Sequence, residues 1–176
     1  MGVMKSAAVK GIIPAGNKVH ELRSNLFRLI TEIPLVLETR FGEQGLAATA
    51  EIFQKLGQQD ALIMKNRIGL GNTLKDAVDA WIIIGHIMGS KMDMTWESDT
   101  RAVSYHPYCP QYEEFKKNGK IYCETACWPY VGSIGENIAP GVKMEIVKPA
   151  DMDHACTKAL EYAPTKLSEY LENRIC

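Results

Sequence analysis

The feature that most constrains this chain is a change of hydrophobic period near Ser90. Before it, apolar residues return every three or four positions; after it, they return every second. Those two spacings belong to helices and to half-buried strands, so the chain is expected to fold as helices followed by a sheet. Val19, Leu22, Leu26, Leu29, Ile30 and Ile33 share one face of a helix opening near Asn17, a favourable N-cap residue. Pro34 either kinks that helix or starts a second one, which ends before Gly42. A helix from about Leu46 to Leu56 should close at Gly57, and another should run from Gln59 to Arg67. The best-defined helix follows Thr73: Leu74, Ala77, Val78, Trp81, Ile82, Gly85 and Met88 form a broad apolar stripe, and Thr73 with Asp76 has the spacing of a capping box.

Beyond Ser90, Met92, Met94 and Trp96 alternate with Asp93, Thr95 and Glu97, as a strand with one core-facing side would. Ser98 and Asp99 supply a turn, and Ala102 to His106 return as a second strand. Cys109 lies between Pro107 and Pro110, whose fixed φ angles hold the backbone extended and keep it out of a central ladder. Residues 111 to 128 include helix, Pro129 interrupts or restarts it, and Val142 to Lys148 alternates again as a third strand. Cys156 lies in the segment from Asp151 to Tyr162, and the tail from Thr165 to Arg174 has helical spacing. The expectation is an irregular arm over residues 1–16 and a single α+β domain over 17–176. Within it lie a helical part (17–89), a cysteine-bearing small antiparallel sheet with an inserted helix (90–162), and a C-terminal helix (163–176). A chain of 176 residues buries enough surface to fold without disulfide or metal staples.

Composition removes several function classes. The formal net charge is -1, so there is no basic field to attract nucleic acid. No window approaches the roughly 18 uninterrupted apolar residues of a membrane helix, and the N-terminus lacks the apolar run of a secretory signal. A cytoplasmic protein with reduced thiols is expected. Its five cysteines, an odd number, then point to metal or thiol chemistry rather than to disulfides.

Four of those cysteines, Cys109, Cys123, Cys127 and Cys156, are spaced C-x13-C-x3-C-x28-C. Cys123 and Cys127, four apart on a helix, would present their side chains on one side, about 5 to 6 Å apart. Cys109 comes from a strand end and Cys156 from beyond the third strand. Four soft ligands from separate elements suit a tetrahedral zinc or an iron–sulfur cluster. Two other readings stay open. Thiols are often small buried hydrophobes. Alternatively, Cys127 precedes Trp128-Pro129, and a helix beginning there would put it at a positive helix end, as an activated nucleophile. His106 or His154 would then be the base, with Asp151 or Asp153 as its orienter. Cys176, at the terminus, is assigned nothing.

Taken in order, the residues from about Thr73 to Leu160 resemble the L-2-amino-thiazoline-4-carboxylic acid hydrolase-like family and, more distantly, the 4-vinyl reductase domain. The resemblance rests on the tryptophan-bearing helix before a hairpin, on Tyr108-Cys109-Pro110 at the end of the second strand, on Cys123 opening a helix, and on "ADMDHAC" ending at Cys156. Ala150 stands where the family has glycine, and Cys127 is an addition to the common pattern. The resemblance implies hydrolytic opening of a small cyclic C–N substrate, with Cys127 or a metal-bound water attacking, His106 or His154 moving protons and Asp153 holding a histidine. The alternative is a non-catalytic small-molecule-binding or redox module with a four-cysteine zinc or iron–sulfur site. A domain acting only as a homodimer partner is a third reading.

Overall fold

The computed structural model of the protein describes residues 9 and 11–162. Three helices come first: α1 (Ala15–Phe41), α2 (Glu43–Ile68) and α3 (Leu74–Met88). They are followed by β1 (Lys91–Ser98), β2 (Arg101–Tyr108), α4 (Pro110–Lys117), a π-helical turn (Cys123–Cys127), α5 (Trp128–Ile138), β3 (Val142–Lys148) and β4 (Thr157–Tyr162). The fold is α+β, with N-terminal helices and a small antiparallel sheet into which α4, the π turn and α5 are inserted. The tail helix expected over 163–176, Cys176 and most of the expected arm lie outside the described residues.

The capping box forms as expected. Thr73 Oγ1 accepts from the Asp76 amide at 3.2 Å, and Asp76 Oδ2 accepts from the Thr73 amide at 2.9 Å, satisfying two N–H groups that the first turn of α3 would otherwise leave open. The stripe of α3 enters the main core, where Leu74, Ala77, Val78 and Trp81 pack against Ile134 and Ile138 of α5 and Leu160 of β4. The indole N–H of Trp81 donates to Val131 O at 2.8 Å, so the ring is fixed in depth and direction.

Several boundaries differ from the sequence reading. α1 runs unbroken through Pro34, which is buried; one missing amide interrupts only one bond of the ladder, and the surrounding packing holds the helix together. Its buried residues are Thr31 and Pro34, flanked by half-buried Phe27 and Ile30; of the apolar stripe Val19, Leu22 and Leu29 are exposed, whereas Leu26 lines an internal cavity. α2 does not stop at Gly57. A Cβ there would lie 2.3 Å from Tyr130 O, so this glycine is what lets α2 and α5 touch backbone to backbone. Trp96, expected inside, is exposed at the end of β1.

The sheet has a fourth strand that periodicity left unassigned. Its order is β1-β2-β4-β3, all antiparallel, so β4 is central, pairing Ala102 with Leu160 and Ser104 with Lys158 on one side and Met144 with Leu160 on the other. On the outer face Arg101 bridges Glu97, Glu145 and Glu161 and so ties the four strands together. On the inner face Ala102, Ser104, Val142, Lys158 and Leu160 are buried.

The close approach at Gly57 gives a direct test. Gly57→Ala should gain up to about 1 kcal/mol of helix propensity but lose about 1–3 kcal/mol or more to overpacking against a backbone oxygen that cannot move aside. Thermal melts should show a clear net loss. Gly16→Ala in α1, where a Cβ meets nothing within 4 Å, should be neutral or mildly stabilising.

Candidate functional site

The insertion between β2 and β3 brings the cysteines together. Cys109 ends β2 and caps α4 in an extended conformation, with Pro110 at the first helical position, where a missing N–H costs nothing. Cys123 and Cys127 open and close the π turn, whose wider winding keeps residues four apart nearly in line. Cys156 immediately precedes β4. All four line one cavity of about 280 Å³ between the helices and the sheet. Its walls are otherwise mostly apolar, with Leu26, Ile30, Phe53, Trp81, Met88 and Met92 among them.

The sulfurs are close enough to influence one another's ionisation. Cys127 donates to the Cys123 sulfur, which holds the Cys123 thiol below its ordinary range; that same donation, with burial, pushes Cys127 well up. Burial likewise raises Cys109, partly offset by the Tyr112 amide donating to its sulfur. Cys127 does not stand at an open helix end: the π turn runs directly into α5, and the Trp128 amide already donates to Cys123 O. The expected helix-end activation of Cys127 is thus absent from the geometry.

His106 and Lys158 complete the polar part of the cavity. Both point inward because they share a face with Ser104 on β2 and with Leu160 on β4, and Ser104 is paired with Lys158. Lys158 is 6% exposed; its Nζ lies 2.7 Å from His106 Nε2, 3.9 Å from Cys156 Sγ, and 5.4 Å from the centre of the Trp81 ring. The ammonium can only donate, so Nε2 accepts and the imidazole proton resides on Nδ1. Burial, and then the neighbouring Lys158 charge, push His106 down to about 3, which keeps the ring neutral. The one acid in the lining, Asp60, accepts from the Tyr130 hydroxyl at 2.6 Å; burial and that bond raise the Tyr130 phenol.

The other two predicted residues do not join this group. His154 Nε2 lies 2.9 Å from Asp151, not Asp153, and the Asp151 carboxylate also accepts from the Asp153 and His154 amides at 2.8 and 3.0 Å. That is a loop-closing arrangement, and neither Asp153 nor His154 lines the cavity. Lys158 is the functional residue that sequence reasoning missed. The spacing of Cys156, Lys158 and Leu160 was the available sign, but a lysine between a threonine and an alanine reads as solvated.

As a donor set, the four thiols fit a soft ion: they come from three places in the fold, line one cavity, and have a buried cation beside Cys156 to offset thiolate charge. Among the described residues no three His, Cys, Asp or Glu side chains are already arranged to hold a metal ion. Loading would therefore require the thiols both to lose protons and to draw together. The chain matches no protein-family model and no curated protein, so the likeness to the thiazoline hydrolase family rests on its motif residues alone.

The neutral His106 predicts a pH dependence. In the unfolded chain this histidine takes up a proton near its ordinary value of 6.5, whereas in the fold it does not until about 3. Stability should therefore fall as pH drops below about 6.5, with a slope approaching about 1.4 kcal/mol per pH unit, the limit for one proton. Denaturant melts of metal-free protein between pH about 6.5 and 4.5, above the range where Glu38, Asp76 and Asp151 add their own dependence, should show that slope. His106→Gln should flatten it.

Proposed function

We propose that the protein is a small-molecule-binding module whose cavity carries a four-cysteine centre for a soft metal, zinc or an iron–sulfur cluster. The observation that carries this reading is the convergence of Cys109, Cys123, Cys127 and Cys156 on one apolar cavity large enough for a small organic molecule. Packing alone would scatter four thiols through a core with no reason to gather them around one space. These four cysteines would be the ligands. Such a group would supply either a rigid, closed four-sulfur anchor or one-electron transfer, depending on which is bound.

The hydrolytic reading draws less support. Its expected base and orienter, His154 and Asp153, sit on a loop outside the cavity. The histidine inside, His106, already accepts a hydrogen bond from Lys158 and has no carboxylate partner to orient it. Cys127 holds its proton in a bond to Cys123, the reverse of what a nucleophile needs.

The test is metal analysis with an ultraviolet–visible spectrum of protein purified without oxygen, together with Cys109→Ser and Cys156→Ser. These two substitutions lie on different elements and outside the π turn. The expected result is one metal centre per chain, lost or reduced about tenfold or more in affinity in both variants. Stoichiometric metal retained in both, or the same low metal content in parent and variants, would contradict the proposal.

A further inference from the structure

The N-terminal helix carries an apolar seam that the fold leaves open. Val19, Leu22, Leu26, Leu29, Ile33 and Val36 of α1 follow one another at alternating spacings of three and four residues. That alternation is a 3.5-residue repeat, the spacing at which one helix presents a straight stripe to a second helix lying along it. α1 does not use the stripe to pack on its own domain. Its buried residues, Thr31 and Pro34, lie about a third of a turn away round the helix, whereas Leu22 and Leu29 are 67% and 56% exposed and Val19 and Val36 are exposed as well. Leu26 is 41% exposed and also lines the cavity, so the stripe runs past the cavity rim. From Ala15 to Leu22 every residue is exposed, so the first two turns of α1 stand clear of the other described elements. A helical stretch that short gains little from its own backbone and draws its stability from an apolar face packed against it.

We infer that this seam is an interface between two copies of the chain, their α1 helices running antiparallel across a twofold axis level with Ser24. The seam is complementary to itself in that arrangement. Leu22 of each copy packs on Leu26 of the other, and Val19 on Leu29, so the projecting start of each α1 lies on the stretch of the other that its own domain holds in place. Charge selects the same occupant and the same direction. Lys18 and Glu32 flank one edge of the seam, both exposed and both without an ion-pair partner among the described residues. The antiparallel pair sets Lys18 of each copy beside Glu32 of the other, twice over. A parallel pair would set Lys18 beside Arg23 of the other copy, like charge against like. This surface is separate from the thiol centre, and its role does not depend on what the cysteines bind.

Analytical ultracentrifugation of the full chain over a range of concentrations tests this, alongside Leu22→Glu, Leu62→Glu, Lys18→Glu, Glu32→Lys and the double variant Lys18→Glu/Glu32→Lys. All four positions are exposed in the single chain, so its fold should survive every one of these changes. The parent should be a dimer at micromolar concentration. Leu22→Glu should raise the dissociation constant by about a hundredfold or more, because two leucine contacts are lost and two charges are brought into the seam. Leu62→Glu, the same change at an exposed apolar site of α2 away from the seam, should leave it within about twofold. At low salt Lys18→Glu and Glu32→Lys should each weaken the dimer by about threefold or more, and the double variant should return it to within about twofold of the parent. A parent chain that stays monomeric would mean that the seam is covered by another part of the chain or by a different protein, and would overturn the inference. Leu22→Glu dimerising as the parent does would place the contact elsewhere, with the same consequence. A double variant no tighter than the single ones would overturn the antiparallel pairing.

Discussion

The pairing of β2 with β4 is the constraint on which the rest of the molecule depends. It joins residues more than fifty positions apart and makes one sheet from two hairpin-like halves, β1 with β2 and β3 with β4. It also fixes the site. Because Ser104 sits opposite Lys158, the side-chain alternation of both strands sends His106, Lys158 and Cys156 to the helix side of the sheet. A register slip of one residue would turn over the side chains of one strand relative to the other and so part Lys158 from His106. Cys109, continuing from β2, and Cys156, leading into β4, are neighbours for the same reason.

The helical layer brings the other half of the site to meet them. α5 is held to α2 by a contact so close that only glycine fits at position 57, and to α3 by the Trp81 to Val131 hydrogen bond. The π turn that begins α5 carries Cys123 and Cys127, so the depth to which α5 sinks sets where their sulfurs lie. Cys123 and Ala126 pack with Phe53, Phe115 and Tyr122 in a second, smaller core beside the cavity. Thiols at the boundary between a packed core and an open space can still move a short way toward a ligand, which the cysteines of a filled core could not.

Much of this was legible in the sequence, and the failures have identifiable causes. The shift of period at Ser90 gave the α+β class, and the Thr73–Asp76 box with the Trp81 stripe gave α3 almost residue for residue. Gly57 was misread because a glycine after an apolar run serves equally as a helix end or as a point of close contact, and only the partner helix distinguishes them. The spacing of the α1 stripe reports that a face is apolar and not what it faces: Val19, Leu22 and Leu29 are exposed while Leu26 lines the cavity. β4 went unassigned because its buried lysine breaks the apolar alternation that marks a strand. Lys158 was hidden by the same break: a buried charge violates the local pattern, and such violations concentrate where the fold serves a ligand. Among the site residues, the four cysteines and His106 do line one cavity, whereas His154 and Asp153 were grouped with them only by nearness in sequence to Cys156.

The claim at the centre of this account is that four thiols act as one centre. Differential alkylation read by mass spectrometry, on reduced protein with and without zinc or cadmium, tests it most directly. The account predicts that Cys109, Cys123, Cys127 and Cys156 become protected together as one ion binds. Protection of single cysteines at different metal concentrations, or of none, would mean that the four sulfurs share a cavity without sharing a function.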